Sequence, residues 1–438
     1  MNKLIKTTST NCTFSISDFE QTKEKVLNWV QQFSTFSFLD NHQYQIEPHT
    51  LECLLAAGIK RQLKVSPGTA LNELQQFIDE KNSWLFGHLA YDLKNEIEKL
   101  TTANPGYIGF PDLYFFEPEV IIRLTANEMI IEAGNPAAVY AAVSAPASGS
   151  TQQPALSAAI NIQSRFSQQQ YTAVINKLKQ HILRGDCYEI NFCQDFFAEN
   201  AGINPVEVYK KLSVLSPNPF SALYRIDKSW LLCASPERFL KKQGNKLLSQ
   251  PIKGTSKRIL NDGAEDDKSK DELKHSAKDR SENVMVVDLV RNDLAKICEE
   301  GTVKVDELYG IYSFPQVHQM ISTVSGELKK NTPFTEIIKA TFPMGSMTGA
   351  PKMRVMELIE EYEQTKRGIF SGAVGYISPD GDFDFNVVIR SIMYNAESEH
   401  LSFLAGSAIT FSSDPQKEWE ECLIKAEAMK KVLEDKGL

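Results

Sequence analysis

Apolar positions along the chain follow two periods. In "SQQQYTAVINKLKQHILRG" Tyr171, Val174, Ile175, Leu178 and Ile182 recur every three or four residues, with Ser167 placed to cap the helix and Gly185 to end it. Similar stripes predict helices in "ALNELQQFIDEK" and over 266–297, 351–365 and 415–435. Between them lie shorter apolar runs that read as strands: "SWLFGHLAYDL", "DLYFFEPEVIIRL", "EINFCQDFFA", "SALYRI", "WLLCAS", "FSGAVGYI", "DFNVVIRSIMYN" and "LSFLAG". Several follow one another with no helix between, which favours an antiparallel α+β arrangement over a doubly wound sheet. The stretch 134–159, "GNPAAVYAAVSAPASGSTQQPALSAA", is poor in charge and large apolar residues. It predicts a linker or exposed loop over 136–160, between an N-terminal α+β domain (1–135) and a longer domain (161–438).

Composition narrows this picture. A chain of 438 residues is long enough for two domains or one large composite one, and 42% hydrophobic with 24% charged residues is a soluble globular balance. The net charge of −9 argues against nucleic acid or an anionic membrane as partner. No apolar run suggests a signal peptide or a membrane span, and seven scattered cysteines without a C-x-x-C pair suit a reducing, cytoplasmic setting. No histidine spacing suggests a zinc site.

Candidate chemistry is acidic. Asp279 and Glu282 are three apart on one predicted helix; Glu418 and Glu421 repeat the spacing on another, where Asp414 can cap and Pro415 suits the first turn. Brought together, the two pairs would make an oxygen-rich site for a hard cation such as Mg²⁺; apart, they are solvated helix faces. The glycine loop of "FPMGSMTGAPKMR" precedes a helix and can offer amides to an anion, without the ending of a nucleotide-type phosphate loop. Arg390 lies in an apolar run and needs a carboxylate from the protein or a ligand, while Gly406 and Ser407 follow a strand where backbone amides can approach a ligand. Lys253, in "LLSQPIKGTSKRIL", sits where a strand runs into a turn; on local pattern alone it is a surface charge.

The segments "SPERF", "PIKGTSKR", "ENVMVVDLVRNDL", "GSMTGAPKMR", "GAVGYI", "DFNVVIRS" and "AGSAI…SDPQKEWEE" stand in the order used by chorismate-utilising enzymes, a family whose members make anthranilate, aminodeoxychorismate, isochorismate or salicylate. The resemblance is dense over about 165–435 and looser before it. It implies stacked antiparallel sheets flanked by helices, with 161–438 as a chorismate-binding catalytic domain that uses Mg²⁺. It also implies Glu282 and Glu421 as direct metal ligands, and Asp279 and Glu418 as outer partners holding metal-bound water. Tyr376 and Arg390 would anchor the enolpyruvyl carboxylate, Gly406 with its neighbour Ser407 and Thr348 would meet substrate carboxylates, and Glu237 would help the 4-hydroxyl leave. Members that make anthranilate read P-I-A-G-T at this motif; those that make aminodeoxychorismate carry lysine, as Lys253 does here. The resemblance thus reads Lys253 as a nucleophile, and burial beside Mg²⁺ is expected to leave it partly neutral.

Three positions depart from the family. Glu189 stands where water-using members carry a basic lysine and others often glutamine. Gln319 occupies an expected histidine position with His318 one residue early, which turns that imidazole to the opposite face of a strand. "FSFLDN" replaces the motif of tryptophan-inhibited members. No glutaminase nucleophile segment is present, so the resemblance implies ammonia from a separate glutamine amidotransferase subunit, for an amination serving p-aminobenzoate and folate synthesis. The rivals are an anthranilate-forming enzyme, against which Lys253 speaks, and a non-catalytic chorismate-binding scaffold for a glutaminase, against which the acids and Lys253 together speak.

Overall fold

The computed structural model describes residues 10–44, 52–65, 68–145 and 160–434. Two antiparallel sheets, one of 12 strands and one of 10, face each other. Many strands are apolar on both faces: all ten residues of Glu189–Ala198 are buried, which is why that run shows no alternation in sequence. Helices Phe19–Val30, Gln168–Leu183, Pro205–Leu215, Lys352–Tyr362 and Pro415–Glu434 cover the outer face of the larger sheet, sharing one apolar cluster with it. A second cluster fills the space between the sheets and continues under Ala70–Asp79, Ala277–Ala295 and Phe334–Thr341. His88 Nδ1 and Tyr224 Oη, 3.0 Å apart, join the sheets; burial pushes the imidazole down to about 4, so it is neutral there. The α+β expectation of stacked antiparallel sheets with helices outside holds.

Strands from both sides of the composition shift interleave. Thr35–Asp40 pairs with Phe220–Ile226 in the larger sheet, and Leu85–Leu89 pairs with Ala373–Ile377 in the smaller. Residues 136–144, read as linker, form the helix Pro136–Ser144, with Asn135 accepting from Ala138 N–H at its start; 146–159 lie outside the described residues.

Two predicted elements are split, and both splits shape the site. The single helix expected over 266–297 is Gly263–His275 followed by Ala277–Ala295. Ser276 between them is extended (φ −62°, ψ 112°), accepts from the Asp279 N–H at 3.2 Å and donates its hydroxyl to the Asp279 carboxylate. "DFNVVIRSIMYN" is likewise two strands, Phe383–Asn386 in the smaller sheet and Ser391–Asn395 in the larger. Arg390 is in the crossing between them, in the left-handed region at φ 51°, rather than inside a strand.

One buried ion pair locks this junction. Arg367 donates to Glu363 through Nε (2.9 Å) and Nη2 (2.6 Å), and also to the carbonyls of Met347 (2.7 Å) and Asn191 (2.9 Å). Glu363 in turn accepts from Cys193 N–H at 2.9 Å. The pair therefore fixes the Gly345–Met347 turn against strand Glu189–Ala198. Removing one partner strands a buried charge, so Glu363→Ala should cost about 3–5 kcal/mol, read as a lowered urea midpoint with an unchanged slope.

Candidate active site

A cavity of about 900 Å³ opens between the sheets, and of the residues singled out in sequence Glu237, Lys253, Asp279, Glu282, Arg390, Gly406 and Glu421 line it. Lys253 reaches it because its strand, Ile252–Lys257, is irregular: the register against Val317–Glu327 slips between Ile252 and Thr255, the signature of a bulge that re-aims a side chain. Gly254 has φ 97°, and a Cβ there would lie 3.0 Å from the Asp279 Cβ, so glycine is required both by conformation and by contact.

Lys253 Nζ lies 3.0 Å from Glu189 Oε1; Glu189 is buried and the Lys253 side chain is 10% exposed. Burial disfavours its charge, yet Glu189, Glu282 and Glu237 together outweigh that and raise its pKa. The chain's own carboxylates thus favour the ammonium form of Lys253, opposing the effect expected of burial and Mg²⁺. The physical reason is Glu189, whose approach depends on the fold and not on local sequence. Glu237 is pushed up to about 7 by burial, against the opposing effects of the Ser346 hydroxyl, Lys253 and the Ile252 amide. It can hold a proton at neutral pH.

The two acidic helices do converge. Glu282 is also raised to about 7, by burial, against Lys253 and Lys278. Glu421 is held below its usual value chiefly by Lys425, whose Nζ is 2.6 Å away. Lys278 Nζ stands 3.8 Å from Glu282 Oε1 and 3.6 Å from Glu418 Oε1. Glu282 Oε1 and Glu418 Oε2 are buried without a hydrogen-bond partner. Among the described residues no three acidic, histidine or cysteine side chains form a ready-made metal cluster. The donors nevertheless suit Mg²⁺ in kind, being hard oxygens with orphaned positions, because Mg²⁺ takes one or two carboxylates and fills the rest with water and substrate.

Arg390 lines the same cavity; burial lowers its pKa against Glu421, and among the described residues no side chain hydrogen-bonds its guanidinium. A ligand carboxylate is the partner it lacks. The other residues expected here are placed elsewhere. Tyr376 packs with Trp84 (ring centroids 5.5 Å apart) and Phe86 (5.9 Å), off the cavity wall. Thr348 is wholly buried and donates to the Met344 carbonyl at 3.1 Å. Ser407, paired with Phe192, and Glu418 are buried and off the lining. His318 is buried beside Ser313 and Asp266, 2.9 and 3.2 Å away, whereas Gln319 lines the cavity, as the one-residue shift requires. Sequence reasoning missed Lys278 and Lys425, although each is four residues from a carboxylate on its own helix, a spacing that puts them side by side. Glu189 carried no readable signal of its role.

The sequence profile described as "chorismate binding enzyme" matches residues 20–431, so the chain belongs to that family. It is 35% identical over 356 residues to the anthranilate synthase component I-like protein of Synechocystis sp., covering 80% of this chain and 72% of that one. It is 37% identical over 272 residues to aminodeoxychorismate synthase component 1 of Escherichia coli, covering 62% of this chain and 59% of that protein's length. Among solved structures, anthranilate synthase component I from Streptococcus pneumoniae superposes with a TM-score of 0.76 at 25% identity, covering 89% of this chain and 95% of that one.

The two raised carboxyls tie stability to pH. Glu237 binds its proton more tightly folded (about 7) than unfolded (the ordinary 4.5), so its favourable contribution is complete below pH 4.5 and is lost as pH rises through 7. Glu282 shifts in the same sense. Glu237→Gln should therefore remove roughly 2 kcal/mol of the stability loss between pH 5 and pH 8, measured by urea titration at both. An unchanged loss would mean that Glu237 ionises freely in the folded protein.

Proposed function

We propose that this chorismate binding enzyme is an aminodeoxychorismate synthase component I, which replaces the 4-hydroxyl of chorismate with an amine using ammonia from a separate glutamine amidotransferase subunit. The observation that carries the reading is Lys253, a buried amine on a bulge at the cavity wall, close enough to Glu189 to pass it a proton. The proposed site residues are Lys253 and Glu237 for chemistry, Arg390 and the Gly406 backbone for substrate, and Glu282 and Glu421, with Asp279 and Glu418 behind them, for Mg²⁺. Tyr376, Thr348 and Ser407, like Glu418, lie off the cavity lining. When bound, Mg²⁺ supplies positive charge that anchors a substrate carboxylate and offsets the acidic cluster.

Arg390 meets a carboxylate of the substrate and fixes its ring over Lys253. Lys253 gives a proton to Glu189, and its free amine adds to ring carbon 2. The ring double bond shifts and the carbon 4–oxygen bond breaks, while Glu237 protonates the departing hydroxyl to water. Ammonia then adds at carbon 4, the double bond returns and the carbon 2–nitrogen bond to Lys253 breaks. The proton shed by the incoming nitrogen restores Glu237, and Glu189 returns its proton to Lys253 as the amine is released, so the balance is chorismate plus ammonia to 4-amino-4-deoxychorismate plus water. Glu282 is one of three carboxylates that keep Lys253 charged; engaging it elsewhere makes the first proton transfer easier.

The Synechocystis relative's name favours one rival, an anthranilate-forming activity. Incubation of the pure chain with chorismate, Mg²⁺ and an ammonium salt near pH 8, followed by mass spectrometry, separates the two. Aminodeoxychorismate without pyruvate is expected; anthranilate with pyruvate would overturn the reading. Lys253→Ala should lower amination at least about 100-fold while the circular dichroism spectrum stays native. Full turnover by that variant would remove the nucleophile from the mechanism.

A further inference from the structure

We propose that Lys278 is a retractable cation: it occupies the divalent-metal position of the acidic cluster, and a metal binds only as this side chain swings out to water. The inference rests on the reading of Glu282, Glu418, Glu421 and Asp279 as a Mg²⁺ site.

Lys278 is the second residue of helix Ala277–Ala295, where a cation is disfavoured by the helix dipole. Its placement is therefore a response to the neighbouring charge and not to the helix. Its ammonium bridges two helices, 3.8 Å from Glu282 on its own and 3.6 Å from Glu418 on Pro415–Glu434. Both distances exceed a hydrogen bond, so it is held by charge alone and leaves Glu282 Oε1 and Glu418 Oε2 unpartnered. All four carboxylates act on it. Its side chain is 51% exposed, against 12% for Glu282 and 2% for Glu418. The ammonium thus sits among buried acids on a stem that already reaches solvent.

Lys425 shows the contrast. It grips Glu421 at 2.6 Å, donates to the Gly406 carbonyl at 3.0 Å and is 29% exposed, so it is tied at both contacts. Against this fastened lysine Lys278 is loose. A divalent ion arriving at Glu282 and Glu421, with Glu418 behind them, meets an internal competitor of half its charge that acts on all three, and its affinity is that of an exchange. Substrate carboxylates that complete the metal's coordination would favour the exchanged state, which couples metal binding to substrate binding.

The test is Mg²⁺ binding itself, by titration calorimetry, for the intact chain, Lys278→Met and Lys278→Arg, each without and with chorismate at 4 °C. Lys278→Met without chorismate should bind Mg²⁺ about tenfold more tightly than the parent, because one unit charge a few ångströms from the ligands is gone. Lys278→Arg, which restores the cation, should return towards the parent's affinity. Equal or weaker binding by a folded Lys278→Met would overturn the proposal while leaving the enzyme's assignment intact. Absence of Mg²⁺ binding in all three chains even with chorismate would overturn it together with the metal reading. The activity reading is judged separately by product identity.

Discussion

Negative charge gathered in a closed space is the constraint from which the rest of this structure follows. Glu189, Glu237, Glu282, Glu418 and Glu421 gather about one cavity, all but the half-exposed Glu421 largely out of water, and carboxylates so placed cannot all ionise without cations beside them. The chain meets the demand in two ways. It lets Glu237 and Glu282 keep protons near neutrality, and it inserts Lys253, Lys278 and Lys425 among the acids. The three lysines differ in grip, from the closed contacts of Lys253 and Lys425 to the loose bridge of Lys278. That gradation is what allows a charged ligand to enter: a site fully satisfied by its own ion pairs would have nothing to offer.

The fold creates the crowding by bringing distant segments to one seam. The site lies where the chain passes between the sheets: Arg390 is in the crossing from one sheet to the other, and Lys253 is on a bulge at the wall of the same cavity. Irregular backbone at such points costs stability, and a rigid surround must hold it. The Arg367–Glu363 pair is that surround for the turn at Gly345–Met347 and for strand Glu189–Ala198, which carries Glu189 at its first residue. A fully buried pair is a poor source of stability compared with an apolar core. Here it gives position, because one guanidinium spans a side chain and two carbonyls of separate elements.

How much of this was legible varies with the range of the interaction involved. Helix Gln168–Leu183 was readable in full, down to its Ser167–Gln170 capping box, because every signal lies within a few residues. Asp414 as a cap was equally local. The break at Ser276 was hidden: a serine interrupts a strongly charged helical pattern with no glycine or proline, and only the capping of Asp279 marks it. The division of "DFNVVIRSIMYN" was hidden too, since two successive strands buried on both faces read as one apolar run. Ordered motifs pointed to most of the cavity wall, but not to which side chains turn inward. Ser407 lies off the wall between Gly406 and Ala408, which line it, since neighbouring residues on a strand face opposite sides, while Tyr376 packs on Trp84 and Phe86. The lysines at four-residue spacing from Glu282 and Glu421 could have been found by helix geometry alone.

Glu189 shows why a charge at such a wall cannot be judged from sequence position. Beside Lys253 it opposes the effect of burial and keeps the amine protonated. A protonated lysine is no nucleophile, so on the proposed mechanism this contact looks like a hindrance. It is the reverse once the other partners are counted. Lys253 is supported chiefly by Glu189 and Glu282, and Glu282 is the group that the proposed metal would engage, while Glu237 carries no charge as long as it keeps the proton meant for the departing hydroxyl. As Glu282 is drawn off, Glu189 remains, at a distance suited to receiving the proton it had helped to hold. On the proposed mechanism, an amine arranged in this way becomes reactive as the ligands that use it arrive.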